Sequence, residues 1–172
     1  MYSLKAEKPE DFWEVEALFD LCFAPGREAL SSYRLRDGVA WVDELSLVAR
    51  DGQGILAGAI RYWPVRIETA PALLLGPIAV HPTRQGEGLG GVLIRDSLAL
   101  ARDHPLSGNR VMLVGDAPYY GRFGFRRLEN VLMPPPTNPA RLLGRALAPD
   151  AWRDVAGKVR PAAPWRAESA AD

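Results

Sequence analysis

The chain reads as an α+β domain built on a mixed, mostly antiparallel sheet. Three observations predict this. Two β-rich runs, residues 45–50 and 55–67, flank the turn Asp51-Gly52-Gln53-Gly54. That is hairpin chemistry and makes antiparallel neighbours. Next, the apolar run 73–80 enters a glycine-dense turn, a helical pattern and then a β-rich run at 110–114. A strand–helix–strand crossover of this length makes its two strands parallel. Last, the strands gather before and after one crossover helix instead of alternating with helices, which excludes a doubly wound sheet.

In chain order, residues 2–7 form a short first strand. Residues 10–23 follow as a helix with Phe12, Val15, Phe19 and Cys22 on one stripe and the acids Glu10, Asp11, Glu14, Glu16 and Asp20 largely off it. Acids near its start suit the helix dipole. Ala24-Pro25-Gly26 ends it, and residues 28–36 make a second, weaker helix before Asp37-Gly38. After the hairpin, a turn at 68–71 leads into strand 73–80. The helix after the glycines carries Leu89, Val92, Leu93, Ala99 and Leu100 at spacing i, i+3, i+4, i+10, i+11, a core-facing stripe. It stops before His104-Pro105, and Ser107-Gly108-Asn109 turns the chain into strand 110–114. Residues 118–123 are expected as a short helix, 125–133 as a strand and 139–147, beyond Pro134-Pro135-Pro136, as another short helix. Residues 1–160 are read as one domain and 161–172 as an Ala/Pro-rich tail that Trp165 can dock.

Composition excludes several classes. Acids and bases number 21 each, so no strongly basic face argues for nucleic acid. The longest apolar run is broken by Gly76-Pro77 and falls short of the roughly 20 residues a bilayer requires, so no membrane role is expected. Residues 1–7 lack the basic-then-apolar pattern of a signal peptide. Cys22 is the one cysteine, which suits a reducing cytoplasm and a buried, inert thiol. Two histidines and one cysteine at unrelated spacings offer no metal site.

The chemistry concentrates after residue 80. The segment Pro82-Thr83-Arg84-Gln85-Gly86-Glu87-Gly88-Leu89-Gly90-Gly91 opens a helix directly after a strand. The first amides of a helix lack intrahelical partners, and the dipole there favours anions. Glycines let a phosphate approach the backbone. The amides of Gln85, Gly86, Glu87, Gly88, Leu89, Gly90 and Gly91 are therefore candidates to ring a diphosphate, with Arg84 adding charge. No Lys-Ser/Thr follows the glycines, so this is not a Walker loop. Gly86-x-Gly88-x-x-Gly91 matches a dinucleotide fingerprint by count, but several strands precede it, whereas such a fingerprint follows a first strand. Gly76-Pro77 inside a strand predicts a bulge or splay that frees strand-edge groups.

Gln85-x-x-Gly88-x-Gly90 after Ile78-Ala79-Val80-His81-Pro82, together with Tyr119-Tyr120-Gly121-Arg122-Phe123-Gly124-Phe125 downstream, resembles the GNAT-type N-acetyltransferases. The resemblance runs from the first strand to about Met133. It implies a three-layer fold with helices on both faces and a splayed pair of parallel central strands. It also implies acetyl-CoA as cosubstrate, no metal, and a small-molecule or peptide amine as acceptor, with a homodimer as a possible assembly. In that reading the edge of Ile78, Ala79 and Val80 holds the pantetheine arm and stabilises the oxyanion. Tyr120 assists the departing thiolate, a phenol near 10 meeting a thiol near 8.5. The family's glutamate on the strand before the loop has no counterpart here, which leaves Asp116, Glu44 or water as the base. Asp116 also fits a helix cap. Arg122, Arg126 and Arg127 are candidates for the CoA 3′-phosphate or for solvated surface, and residues 23–33, Trp63 and 133–138 for the acceptor pocket. A non-catalytic acyl-CoA-binding or regulatory domain and a nucleotide-binding module remain as alternatives.

Overall fold

The computed structural model describes residues 1–23, 27 and 31–162. The expected helix end at Ala24-Pro25-Gly26, residues 28–30 of the expected second helix, and Trp165 lie outside them.

Strand β1 (Ser3–Ala6) leads through a 3-10 turn at Pro9–Asp11 into α1 (Phe12–Cys22), and α2 (Ser31–Arg34) follows. β2 (Leu47–Arg50), β3 (Leu56–Ile67) and β4 (Ala70–Val80) form an antiparallel meander, and α3 (Leu89–Ala101) crosses over to β5 (Arg110–Val114), which is parallel to β4. Then come α4 (Ala117–Gly121), β6 (Arg126–Arg127), β7 (Val131–Leu132), β8 (Leu142–Ala146) and β9 (Gly157–Pro161). The sheet runs β1-β2-β3-β4-β5-β8-β6, and β9 takes the edge of β3 beyond the end of β2 and pairs with β7.

Alternation along the central strands sends residues to two cores. Leu73, Leu75, Val111, Leu113 and Leu143 join Leu89, Leu93, Ile94 and Leu98 of α3. Leu74, Met112 and Leu142 face the other way, and on that side α1 packs Val15, Leu18 and Phe19 against Ala59 and Ala79. Helices thus cover both faces of the sheet. No helix among the described residues is long and apolar enough to cross a membrane.

Four expectations are corrected. The buried face of α3 is Leu89, Leu93, Ile94, Ser97, Leu98 and Ala101, whereas Val92 and Leu100 are exposed, as is Ala99. The sheet sets this face: Leu89 and Leu93 straddle Gly58, where a Cβ would stand 3.0 Å from Leu93 and 3.2 Å from Leu89. Ser97 is fully buried because Tyr62 of β3 reaches its hydroxyl at 2.8 Å.

Segment 139–147 is not a helix but a 3-10 turn at Pro139–Arg141 followed by β8. The Leu142, Leu143, Ala146, Leu147 pattern suits either element; what decides is the open edge of β5, whose backbone groups need partners. β8 pairs with all five residues of β5. Segment 125–133 is two short strands, because Leu128 turns inward onto Gly144, where a Cβ would stand 2.6 Å from its side chain. Residues 157–161, read as the end of the domain and the start of the tail, form β9.

The Ser97 hydroxyl donates to the Leu93 carbonyl at 2.6 Å, so Tyr62 is the donor in their mutual bond. Ser97→Ala orphans a buried phenol and is expected to cost about 1–3 kcal/mol, whereas Tyr62→Phe removes only the donor and costs about 0.5–1.5 kcal/mol. Urea unfolding of the two variants checks the order; a costlier Tyr62→Phe contradicts the assigned direction.

Candidate active site

The site begins where two parallel strands part. β4 and β5 pair only at Leu73 with Val111 and Leu74 with Met112. Beyond that point β4 stays on β3 and β5 stays on β8. β3 advances two residues from Ile60 to Tyr62 while β4 goes back three, from Ile78 to Leu75. The extra residue makes a bulge at Gly76-Pro77. It also swaps the alternation, so that Leu73 and Leu75 before it and Ile78 and Val80 after it meet the same core.

The bulged strand aims its free edge into the gap. His81 donates its amide to Ala57 of the hairpin at 2.8 Å. Backbone groups alternate sides along a strand, so Ala79 also faces β3 while Ile78 and Val80 face the gap. The Val80 carbonyl accepts from Cys22 Sγ at 3.3 Å and Gln85 Nε2 at 3.2 Å, as expected for a group outside the ladder. Among the candidate edge residues, Ala79 is therefore committed to the sheet.

The glycine turn leaves a row of backbone amides open. Gly86 and Gly88 hold φ of +87° and +81°, and Gly88 is the N-cap of α3. A Cβ at either would meet nothing within 4 Å, so what these two positions demand is the left-handed backbone. Gly90 serves approach: a Cβ there would sit 3.3 Å from the Tyr119 hydroxyl. Among the described residues the amides of Gln85 through Gly91 have no hydrogen-bond acceptor. Arg84 does not point at them freely: its Nη2 bonds Asp51 at 2.6 Å and its guanidinium stands 6.0 Å over the Tyr2 ring. Tyr2 donates to the Glu87 carboxylate. Both side chains pin the turn to the first strand and the hairpin.

A cavity of about 280 Å³ fills the gap between β4 and β5. Gly76, Pro77 and Ile78 line one wall, Leu113 to Asp116 and Tyr120 another, and Phe23, Ser32, Tyr33 and Arg36 close it. Tyr120 is placed by Gly115, where a Cβ would stand 2.5 Å from the tyrosine ring, so a glycine is required at the end of β5 for the ring to lie there. Burial, with the neighbouring Tyr119 second, pushes the Tyr120 phenol up to about 12. It is therefore neutral across the physiological range, and a weaker acid than the phenol near 10 expected from sequence.

Asp116 caps α4, accepting from the Tyr119 amide at 3.1 Å, and also lines the cavity. Glu44 stands outside it, 3.4 Å from His104. His81 caps its own turn through Thr83. Burial raises the Cys22 thiol, against a nucleophilic role. Of the expected acceptor wall, Phe23, Ser32 and Tyr33 are in place, whereas Trp63 is 8% exposed in the core and residues 133–138 do not line the cavity. Among the described residues no cluster of His, Cys, Asp and Glu could hold a metal ion.

Three features escaped the sequence reading. Gly115 follows strand 110–114 and belongs to no motif. Arg36 sits in a turn among other arginines, and nothing local marks it as buried. The third is a cleft of about 790 Å³ walled by Arg95, Arg122, Arg126, Arg127 and Arg145. Arg95 leans back toward the glycine turn, its Nη1 3.2 Å from where a Gly91 Cβ would be, so this positive cleft adjoins the cradle. Arg122, Arg126 and Arg127 had been singled out; their convergence with Arg95 and Arg145 depends on β6, β8 and α3 meeting.

Known proteins share this fold. The model of the acetyltransferase (GNAT) domain matches residues 42–127. A GNAT family acetyltransferase from Brucella melitensis, solved in complex with acetyl-CoA, is 31% identical over 95% of this chain and 97% of its own, with a TM-score of 0.71. YhbS from Escherichia coli, a GNAT family N-acetyltransferase solved in complex with CoA, is 27% identical over 94% of this chain and 89% of its own, with a TM-score of 0.79. Arabidopsis thaliana Naa50, in complex with a bisubstrate analogue, is 17% identical over 84% of this chain and 98% of its own with a TM-score of 0.62, and shows the fold alone. Among curated proteins none matches. The chain belongs to the GNAT family of acetyltransferases.

The raised Tyr120 phenol has a pH signature. An unfolded tyrosine ionises near 10, the folded one at about 12. Its contribution to stability is thus fully present below about pH 10 and is lost as pH rises toward about 12. Ultraviolet titration of the native protein and of Tyr120→Phe is expected to differ by one phenolate only near the upper end of this window. A difference near pH 10 would mean an exposed ring.

Proposed function

We propose that this member of the GNAT family transfers the acetyl group of acetyl-CoA directly to a primary amine of a small molecule or peptide, with no covalent enzyme intermediate. One observation carries the reading. Seven amides without a partner among the described residues, the free edge of a bulged strand and a half-buried tyrosine lie along one track from the turn before α3 to the cavity.

The residues present fit CoA. Amides from Gln85 to Gly91 suit the diphosphate, and the arginine cleft beside them suits the 3′-phosphate. The Ile78 and Val80 edge suits an amide-rich arm, which adds as a strand would. Bound acetyl-CoA supplies the activated acyl group. The amine nitrogen forms its bond to the acyl carbon as the carbon–sulfur bond breaks, and a strand-edge amide of Ile78 or Val80 stabilises the developing oxyanion.

Tyr120 assists as a hydrogen-bond donor. Complete proton transfer from a phenol at about 12 to a thiolate of pKa near 8.5 is uphill by about 5 kcal/mol, whereas donation to the developing charge needs no net transfer. The proton that leaves the amine goes to a base, and of the two carboxylates considered Asp116 alone lines the cavity. The non-catalytic and nucleotide-binding alternatives predict no turnover and a preference for ATP or NAD, respectively.

Three variants test the reading. Tyr120→Phe is expected to lower kcat at least about tenfold with CoA affinity retained; an unchanged kcat removes Tyr120 from the chemistry. Gly88→Val places a side chain over the cradle at a left-handed φ and is expected to abolish the several-degree rise in Tm that saturating CoA gives the parent. A retained rise sinks the cradle, and a larger rise with ATP or NAD favours a nucleotide module. Asp116→Asn keeps the cap, so a fall in kcat/KM that rising pH relieves, at unchanged Tm, marks a proton acceptor; an unaltered profile leaves only the cap.

A further inference from the structure

One buried cation in the cavity wall lacks the counter-charge its neighbours have. Arg61 bonds Glu7 at 2.7 and 2.9 Å and Glu16 at 3.2 Å. Arg27 bonds Asp20 at 2.8 Å, Glu16 at 3.2 Å and the Tyr33 hydroxyl at 2.8 Å. Arg36 is 8% exposed and forms no ion pair among the described residues. Among the described residues its Nε and Nη1 are covered without a hydrogen-bond partner, so the cation is left uncompensated, and Nη2 alone has a side-chain hydrogen-bond partner, the Ser32 hydroxyl.

The guanidinium is held in place by rings. It lies 4.0 Å over Tyr33 and 5.5 Å over Trp63, and Arg27 ties the Tyr33 hydroxyl back to α1. Its Nη2 stands 3.7 Å from the position of a Gly76 Cβ and reaches Ser32 Oγ at 3.5 Å. Ser32, Gly76 and Arg36 all line the cavity that Tyr120 lines. Burial, and the charges of Arg27 and Arg61, bring its pKa down to about 10, so the group remains charged at neutral pH.

A buried charge with no partner is costly unless something completes it. We infer that the acceptor amine carries a carboxylate, which Arg36 Nη2 and the Ser32 hydroxyl bind in the wall of the cavity while the amine faces Tyr120. This assignment rests on the acetyl-transfer reading above. The cavity, about 280 Å³, is at the small end for ligand sites, so the two groups belong to a compact molecule such as an amino acid. Arg141, the other arginine that lines the cavity, is exposed to solvent, so Arg36 is the one buried guanidinium among the described lining residues; it matches one monoanion, and a ring-stacked arginine is already oriented for it.

The test compares the protein amino acids with their carboxamides as acceptors, following CoA release by the parent chain and by Arg36→Met. At least one amino acid is expected to exceed its carboxamide about 100-fold in kcat/KM, and Arg36→Met to bring that ratio to within about threefold. Equal use of acid and carboxamide by the parent, or a ratio that survives Arg36→Met, overturns the assignment. Removal of an uncompensated buried charge predicts an unchanged or raised Tm for Arg36→Met. Should that variant not fold, Arg36→Lys, which keeps the charge without the planar, ring-stacked guanidinium, is expected to retain an intermediate ratio, and a full ratio overturns the assignment. If acetyl-CoA binds and no amine is acetylated, the transfer reading fails alone. The carboxylate site is then decided by Tm in the presence of CoA with N-acetyl-amino acids against their carboxamides. A rise with the acids alone, absent in Arg36→Met, upholds it, and no difference overturns it.

Discussion

Two residues of parallel pairing between β4 and β5, and no more, are the constraint from which the site follows. Backbone groups withdrawn from water must be paired, and each strand meets that demand on its other edge, β4 with β3 and β5 with β8. That leaves a wedge between them which the sheet itself does not need to close. The bulge at Gly76-Pro77 turns β4 so that Ile78 and Val80 face the wedge, and Pro77 has no amide to bring to a ladder. Tyr120 can enter because β5 ends in Gly115, and the glycine turn begins where β4 ends. Cavity, free edge and cradle are consequences of one parting of strands.

The opposite wall is held by charge. Arg61, Glu7, the half-buried Glu16 and Arg27 form a chain from β3 through the segment after β1 to α1, and Arg27 passes it on to Tyr33. Such a chain adds little net stability over an apolar core, but breaking one link leaves a stranded charge. It therefore acts as a positioning device, fixing Tyr33 and with it the ring against which Arg36 stacks. The two walls are of different kinds, one set by backbone pairing and one by ion pairs, and they meet over a small cavity.

How much could be read beforehand depended on the range of the forces involved. The hairpin, the crossover, the glycine turn before α3 and the cap of α4 are local: turn residues, left-handed glycines and an Asx cap act within a few positions, and they stand where the sequence suggested. The burial face of α3 was misread because Ser97 is turned inward by Tyr62, 35 positions away. β8 was misread because Leu142-Leu143-Gly144 suits helix or strand, and the open edge of β5 decided between them. Glu44 and Asp116 were equal as carboxylates, and only placement separates them.

By itself the sequence determined the mixed α+β class, the position and glycine requirement of the turn before α3, and the neighbourhood of Tyr120, because each is encoded in contiguous residues. Tertiary structure decided which strand-edge groups are free, which buried arginine lacks an ion pair among the described residues, and that five arginines from α3, the end of α4, β6 and β8 wall one cleft. The physical reason is that pairing and burial are competitions among distant segments. A residue's type states what it can bond, while the fold determines which partners are left over.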